Sequence, residues 1–266
     1  MKALILGEIV GRAGYTAIKK GLKDMSDIDL VIANGEGMFN GYGINKINAI
    51  NLMKAGVDVI TGGEKLFYKS DMQDFIKETS RVIRAYNYPS PDVPGHGIKY
   101  IKINDTNVAV LNLMGTSGMR VPLNNPFTSA EYIVKKIKET TAAIIVIFHA
   151  SASAEKQSMF RFLDGKVTAV IGTHNKILTA DATVSENGTA YITDNGRCAS
   201  TLSVGGFKAE EEIKKYRSTL LVRSKECFDD TELQGVTVTF NENGKAENIE
   251  TIRKKITIDG TDINKT

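Results

Sequence analysis

Six polar residues directly follow apolar, β-branched runs, and their types are those that hold metal ions or move protons. Glu8 follows Lys2–Leu6, Glu36 follows Leu30–Ala33, Glu64 follows Val57–Ile60, His149 closes Ala142–Phe148, and His174 and Lys176 come after Ala169–Ile171. A short apolar run ended by glycine or a polar residue reads as a buried strand that hands its polar residues to the loop at its C-terminal end. In α/β proteins that edge is where ligands bind. Taken singly, each of these ends reads as an ordinary solvated turn, because Gly and acidic residues are common turn formers. Their recurrence at successive strand ends carries the argument, since parallel neighbours would gather the carboxylates at one edge. Three carboxylates and two imidazoles then form a ligand set suited to a divalent metal.

The elements that would position these residues are read from periodicity and turn formers. Lys2–Leu6 is a first strand, and Gly7, Gly11 and Gly14 punctuate the turn into a helix near Tyr15–Leu22. Three glycines after a strand can cradle a phosphate, but their Gly-x-x-x-Gly-x-x-Gly order departs from the dinucleotide fingerprint. A second helix is expected over Lys46–Ala55. Asn87 to Gly97 is rich in turn formers, and His96, flanked by glycines, reads as an exposed turn residue. Lys99–Ile103 and Val108–Leu113 read as a hairpin around Asn104–Asn107, adding antiparallel pairing beside the parallel part. The loop Gly115–Phe127 is expected to cover one end of the sheet. Gly188–Thr193 reads as a further strand, and Leu233–Phe240 with Ala246–Arg253 as a closing hairpin. No repeat or linker divides the chain, so one domain over 1–266 is expected.

Composition narrows the function classes. With 266 residues, 42% hydrophobic and 24% charged, the chain is long and apolar enough to bury a full core. Its 34 basic and 31 acidic residues leave a formal charge of only +3, so electrostatics alone gives no strong nucleic-acid signal. No apolar run reaches membrane-spanning length, and a strand rather than a signal peptide begins the sequence, so a cytoplasmic protein without membrane partners is expected. Cys198 and Cys227 match no metal or redox spacing and read as free thiols.

The whole chain resembles the YmdB-type 2′,3′-cyclic nucleotide phosphodiesterases, a branch of the calcineurin-like metallophosphoesterases. The similarity runs from Leu6-Gly7-Glu8-Ile9-Val10-Gly11 through Asn34-Gly35-Glu36, Pro94-Gly95-His96-Gly97-Ile98, Pro126-Phe127, Phe148-His149-Ala150, Glu155-Lys156 and Gly172-Thr173-His174 to Gly188-Thr189-Ala190-Tyr191-Ile192-Thr193-Asp194. It implies an α/β fold with two sheets in an αββα sandwich, a nucleotide or phosphate ligand, and a homo-oligomer. It also implies a two-metal site that activates a hydroxide and clamps the phosphate.

The departures from that pattern concern the site. Glu36 matches the family's metal-bridging glutamate, and His149 and His174 match two histidine ligands. Glu8 stands where the family has an aspartate ligand, with the same charge on a longer arm. Gly37 replaces an asparagine that assists the site, Gly63 replaces an asparagine ligand, Glu64 replaces the histidine expected to protonate the leaving group, and Lys176 replaces the last histidine ligand. An ammonium has three donors and no lone pair, so it does not bind a metal.

With Lys176 pointing inward between Glu8 and Glu36, it takes the place of one metal as a fixed cation. Three carboxylates and one ammonium then leave a formal charge of −2, costly in a confined site and repulsive to a phosphodiester. One divalent ion (Fe, Mn or Zn) on Glu36, His149, His174 and Glu64 would compensate, as would approach of Arg12 or Lys65 without any metal. The resemblance and its departures therefore lead first to a phosphodiesterase relative with lost or strongly reduced activity, a pseudoenzyme that binds or regulates. The second reading is an active mononuclear hydrolase of cyclic nucleotides or RNA-derived phosphodiesters, with Glu64 as ligand or acid. The third is a nucleotide-binding module using the Gly7–Gly14 turn.

Overall fold

A computed structural model describes residues 1–259; the last residues of the expected 1–266 domain lie outside the described ones. The first part of the chain contains β1 (Lys2–Leu6), β2 (Glu8–Ile9), α1 (Gly11–Gly21), β3 (Leu30–Asn34), α2 (Lys46–Lys54), β4 (Val59–Thr61), α3 (Ser70–Glu78) and β5 (Val82–Ile83). The second contains β6 (Ile98–Ile103), β7 (Thr106–Met114), α4 (Pro126–Ile137), β8 (Ala143–His149), α5 (Ser153–Leu163), β9 (Ala169–Thr173), β10 (Thr183–Val184) and β11 (Ala190–Ile192). The chain then returns to the first sheet with β12 (Arg197–Ser200), carries α6 (Ala209–Ser218), and ends in β13 (Thr231–Phe240) and β14 (Ala246–Ile256).

Two sheets result. One runs β2-β12-β13-β1-β3-β4-β5 with β14 on the other edge of β13, and the second runs β10-β11-β9-β8-β7-β6. Within them β1, β3, β4 and β5 are parallel neighbours, as are β7, β8, β9 and β11. The two-residue period of a strand explains why the sheets stack. Ala3 and Ile5, Leu30 and Ile32, and Ile145 and Ile147 face the layer between the sheets. The alternate residues Leu4 and Leu6 lie under α1, α2 and α3, and Ile144, Val146 and Phe148 under α4 and α5. Each fully buried Ile, Leu or Phe contributes about 1.5–3 kcal/mol. Because every central strand is apolar on both faces, helices must cover both outer surfaces, and the expected αββα sandwich follows.

Several boundaries differ from the sequence reading. The helix expected from Tyr15 starts at Gly11, so only Ile9 and Val10 separate Glu8 from it. The strand expected from Val57 begins at Val59, because the Asp58 carboxylate turns outward to accept the Val31 amide at 2.9 Å. The central hairpin turns tightly at Asn104-Asp105, with Asn104 in the left-handed region (φ 52°), so that β7 already begins at Thr106. The loop after β7 ends earlier than expected, because Pro126-Phe127 opens α4. There the Asn125 side chain accepts the Phe127 amide at 2.9 Å and Pro126 fills the first turn. This loop is tied at its start to α5, where Glu155 accepts the Thr116 amide at 2.8 Å. His96 is exposed, as its glycine neighbours suggest, although its carbonyl accepts the Arg84 amide.

Candidate metal centre

The C-terminal ends of β3 and β4 in one sheet and of β8 and β9 in the other converge, and their polar residues meet there. After β3 the chain turns on Asn34, whose side-chain oxygen accepts the Glu36 amide at 3.0 Å and so aims the Glu36 carboxylate inward. Glu36 Oε2 accepts the amides of Gly63 (2.6 Å) and Lys65 (3.3 Å) from the loop after β4. That loop is itself anchored across the sandwich by Asn112, which donates to the Gly62 carbonyl at 2.8 Å. From the second sheet, His149 Nε2 reaches Glu64 Oε2 at 2.9 Å and Glu36 Oε1 at 3.1 Å. Its other ring nitrogen, Nδ1, lies 2.9 Å from the Thr173 hydroxyl and 3.2 Å from Asn34 Nδ2. His174 Nδ1 stands 3.1 Å from His149 Nε2, the two rings nearly perpendicular.

One ligand atom from each of Glu36, Glu64, His149 and His174 lies within 4.8 Å of the other three. Glu8 is adjacent and fully buried, with Lys176 Nζ 2.9 Å from its Oε1. The second ammonium at the site is that of Lys65, 3.8 Å from Glu36 and 3.5 Å from Glu64. Arg12 is drawn instead toward Glu226, 3.8 Å away. The sequence-based charge count therefore needs correction: Lys176 sits on Glu8, and Lys65 is the cation that faces Glu36. With both lysines counted, the formal charge falls from −2 to −1, and a proton on His149 brings the group to neutrality.

Electrostatics favours that proton. Burial opposes a charge on His149, but Glu36 and Glu64 outweigh it and the pKa is pushed up to about 10. Burial likewise opposes charge on Glu64 and Glu36, and in both the proximity of His149 wins, holding the carboxyls below the usual range. For His174, burial and the neighbouring His149 charge act together and push the pKa down to about 4. Glu8 responds differently: burial raises its pKa more than Lys176 lowers it. Glu8 Oε2 has no hydrogen-bond partner among the described residues, whereas Glu8 Oε1 faces the Lys176 ammonium and Glu36 Oε1 the His149 ring. Carboxylate and imidazole ligand atoms gathered within 4.8 Å of one another, two of the imidazole nitrogens only 3.1 Å apart, fit a bound divalent cation.

The two glycines at altered positions are explained by close approach. A Cβ on Gly37 would lie 2.5 Å from Glu8 Oε1, so the longer arm of Glu8 fills the space a side chain at 37 would need. A Cβ on Gly63 would lie 2.2 Å from the His149 ring and 2.6 Å from Glu36 Oε2. The glycine turn after β1 does not offer a free phosphate cradle. The Gly11 amide donates to the Gly37 carbonyl and the Arg12 amide to Glu226 Oε2, so the chain's own groups occupy the start of α1. This removes the basis for the nucleotide-binding module.

Sequence reasoning missed the support beneath His174 and Lys176, which both adopt positive φ (105° and 62°), costly for non-glycine residues. Asp194, at the end of the strand expected over Gly188–Thr193, holds this loop by accepting the amides of Asn175 (2.9 Å) and Ile177 (3.3 Å). Lys156, fully buried in α5, donates to Asp194 at 2.8 Å and to Asn175 Oδ1 at 3.0 Å. Arg197 donates to the Lys176 carbonyl at 2.7 Å. The signal available was the strand-terminal Asp194, but its partner in α5 is apparent only in three dimensions.

Residues 4–252 match the sequence profile of a family described as YmdB-like protein. The chain belongs to the YmdB-like family. It is 34% identical over 248 residues to a 2′,3′-cyclic-nucleotide 2′-phosphodiesterase of Bacillus subtilis, spanning 92% of this chain and 93% of that protein. Among solved structures, it superposes with a TM-score of 0.89 on a phosphatase from Mycoplasma pneumoniae at 28% identity, covering all of this chain and 97% of the other. A protein from Thermus thermophilus gives the same TM-score and identity, covering 96% and 99% of the two chains. The YmdB-like fold and a possible metal-binding group are thus both present. No helix among the described residues is long and apolar enough to cross a membrane.

Proposed function

We propose that this YmdB-like chain binds a phosphodiester or cyclic nucleotide at a single divalent-metal site, and that its hydrolysis of 2′,3′-cyclic nucleotides is lost or strongly reduced. The observation that carries this reading is the position of Glu64. It stands inside the ligand cluster with Glu36, His149 and His174, 2.9 Å from His149 Nε2. A carboxylate committed as a ligand holds no proton for a leaving oxygen, and general-acid assistance is worth roughly 10²–10⁴ in rate. The Lys176–Glu8 contact supports the loss of a second metal, because an ammonium supplies positive charge without accepting coordination.

Iron, manganese and zinc all accept mixed imidazole and carboxylate donors. When bound, the ion would polarise a phosphoryl oxygen as a Lewis acid. Lys65 and Lys176 balance two of the three carboxylates, and a divalent ion replacing the His149 proton makes the formal charge +1, attractive to a phosphodiester anion. The completeness of the four-ligand cluster also favours the second reading, an active mononuclear hydrolase. Two buried free thiols, Cys198 and Cys227, suit a reducing compartment and keep the cytoplasmic expectation.

Elemental analysis of protein offered each metal, followed by a 2′,3′-cyclic AMP hydrolysis assay, tests the proposal. The expected result is about one equivalent of metal, with nucleotide binding but little turnover, and turnover rising when Glu64→His and Lys176→His are combined. Two equivalents of metal, or full hydrolysis by the unmodified chain, would overturn it.

A further inference from the structure

We propose that a cleft walled by the loops that also carry the metal centre is an oligonucleotide subsite, which takes the nucleotides adjoining the terminal phosphodiester of a single-stranded RNA. This deepens the phosphodiester-binding reading and rests on it for the placement of that terminal group. The cleft encloses about 860 Å³, within the roughly 300–1,000 Å³ typical of ligand sites. Three of its walls continue from the loops that carry the centre. Arg12 lies four residues past Glu8, Phe39 and Tyr42 belong to the loop that begins at Glu36, and Lys69 lies four residues past Lys65. The fourth wall is the segment 222–228 with Lys208 beside it.

The lining chemistry is that of a single-strand site. Arg12, Lys69, Lys208, Arg223 and Lys225 are all present against the one lining carboxylate of Glu226. Glu226 is already engaged by Arg12, and Lys225 by Glu211 at 2.6 Å. Lys69 and Arg223 form no ion pair with a carboxylate among the described residues, and Lys208 shares Glu211 with Lys225 only through longer-range attraction. These cations are interleaved with rings: Lys69 Nζ lies 3.8 Å from the Phe39 centroid, the Arg12 guanidinium 5.5 Å from that of Phe228, and Tyr42 is half exposed. Cations that follow a phosphate backbone together with aromatic faces for unpaired bases are the two components of single-strand recognition. The loop bearing Phe39 and Tyr42 is held in place, with the Phe39 amide on the Gly43 carbonyl and the Gly43 amide on the Glu36 carbonyl, both 2.8 Å. The overall charge of +3 conceals this local concentration.

The test uses the full chain, a fluorescent single-stranded RNA hexamer ending in a 2′,3′-cyclic phosphate, the same hexamer ending in a 3′-hydroxyl, a duplex of equal length, and 2′,3′-cyclic AMP. The cyclic-ended hexamer is expected to bind more tightly than cyclic AMP. Tyr42→Ala should weaken the hexamer about tenfold through lost stacking, and more than it weakens cyclic AMP. Lys69→Ala and Arg223→Ala should each lower the salt slope of hexamer binding by about 0.7. The 3′-hydroxyl hexamer, which lacks the terminal phosphodiester, separates the two readings. Binding that responds to Tyr42 and Arg223 while cyclic AMP does not bind supports the cleft and overturns the metal-site reading. Equal affinity for hexamer and cyclic AMP, equal affinity for the duplex, or indifference of the hexamer to the combined Tyr42, Lys69 and Arg223 variant would overturn the cleft proposal. Loss of self-association in that variant without any hexamer binding would overturn it too, and would assign the cleft to a second copy of the chain.

Discussion

Glu8 and Gly37 occupy one space between them, and neither is understandable alone. A Cβ at position 37 would press on the Glu8 carboxylate at 2.5 Å, so Gly37→Asn should cost about 1–3 kcal/mol by overpacking. In a Glu8→Asp background the same change should cost less, with a coupling of about 0.5–3 kcal/mol in a urea-denaturation cycle. Independent, additive effects would refute the coupling. Asp194 offers a second test at this scale. Removing it leaves the buried Lys156 ammonium without its carboxylate, so Asp194→Ala should destabilise the protein by about 3–5 kcal/mol. It should also weaken metal binding, because the His174 loop loses two amide acceptors. Unchanged metal affinity in a folded Asp194 variant would separate the loop's position from the site. Strand-end Glu36, His149 and His174 were legible as candidates because apolar runs mark where strands stop. The pairing of Glu8 with Gly37 was not, since such neighbours are set by loops from different strands, and for Lys65 only its approach, shared as an option with Arg12, was expected.

At the scale of elements, long buried strands declared themselves and short or half-buried pieces did not. β8 is apolar as far as Phe148, whereas β2 and β12 span only two and four residues and are held by pairing with their neighbours, β2 with β12 and β12 also with β13. Helices α3, α4 and α6 lay in stretches read as loops or left unread. For α4 the Asn125-Pro126 opening was a usable signal, and Asn125→Ala should cost about 1 kcal/mol of stability, measured by thermal unfolding. The edge strand β10 and its neighbour β11 are flanked by Asp181, which accepts the Thr193 amide and the hydroxyls of Thr179 and Thr193. Burial opposes its charge, but these hydrogen bonds prevail and hold its pKa below the usual value. A depressed carboxyl stabilises the fold above its unfolded pKa of about 3.9 and loses that contribution as pH falls through the folded value. The stability gap between the parent and Asp181→Asn should therefore be open at neutral pH and close in strong acid. A gap that widens in acid would show that the hydrogen bonds act otherwise.

For the whole molecule, the stretch from Leu202 to Leu221 concentrates exposed apolar side chains. Leu202, Ile213, Tyr216, Leu220 and Leu221 are all exposed within one stretch of chain, and α6 buries none of its residues. Exposed large apolar side chains rimmed by charge can mark association sites, and a homo-oligomer is the expectation to test on this stretch. Light scattering should give a mass above that of one chain, and Tyr216→Asp with Leu221→Asp should reduce it to a monomer; a monomeric parent would remove the proposal. The sheet order carries a different consequence, for how the protein is made. β1 lies between β3 and β13, so during synthesis one side of β1 waits for residues 235–239 before it is paired. Glu8, Glu36 and Glu64 emerge early, yet the histidines that complete their cluster follow only at 149 and 174. Contacts so distant in sequence form late and slowly, so metal capture should be a post-translational event. Until then the nascent chain carries an open strand edge, the kind of surface that chaperones shield.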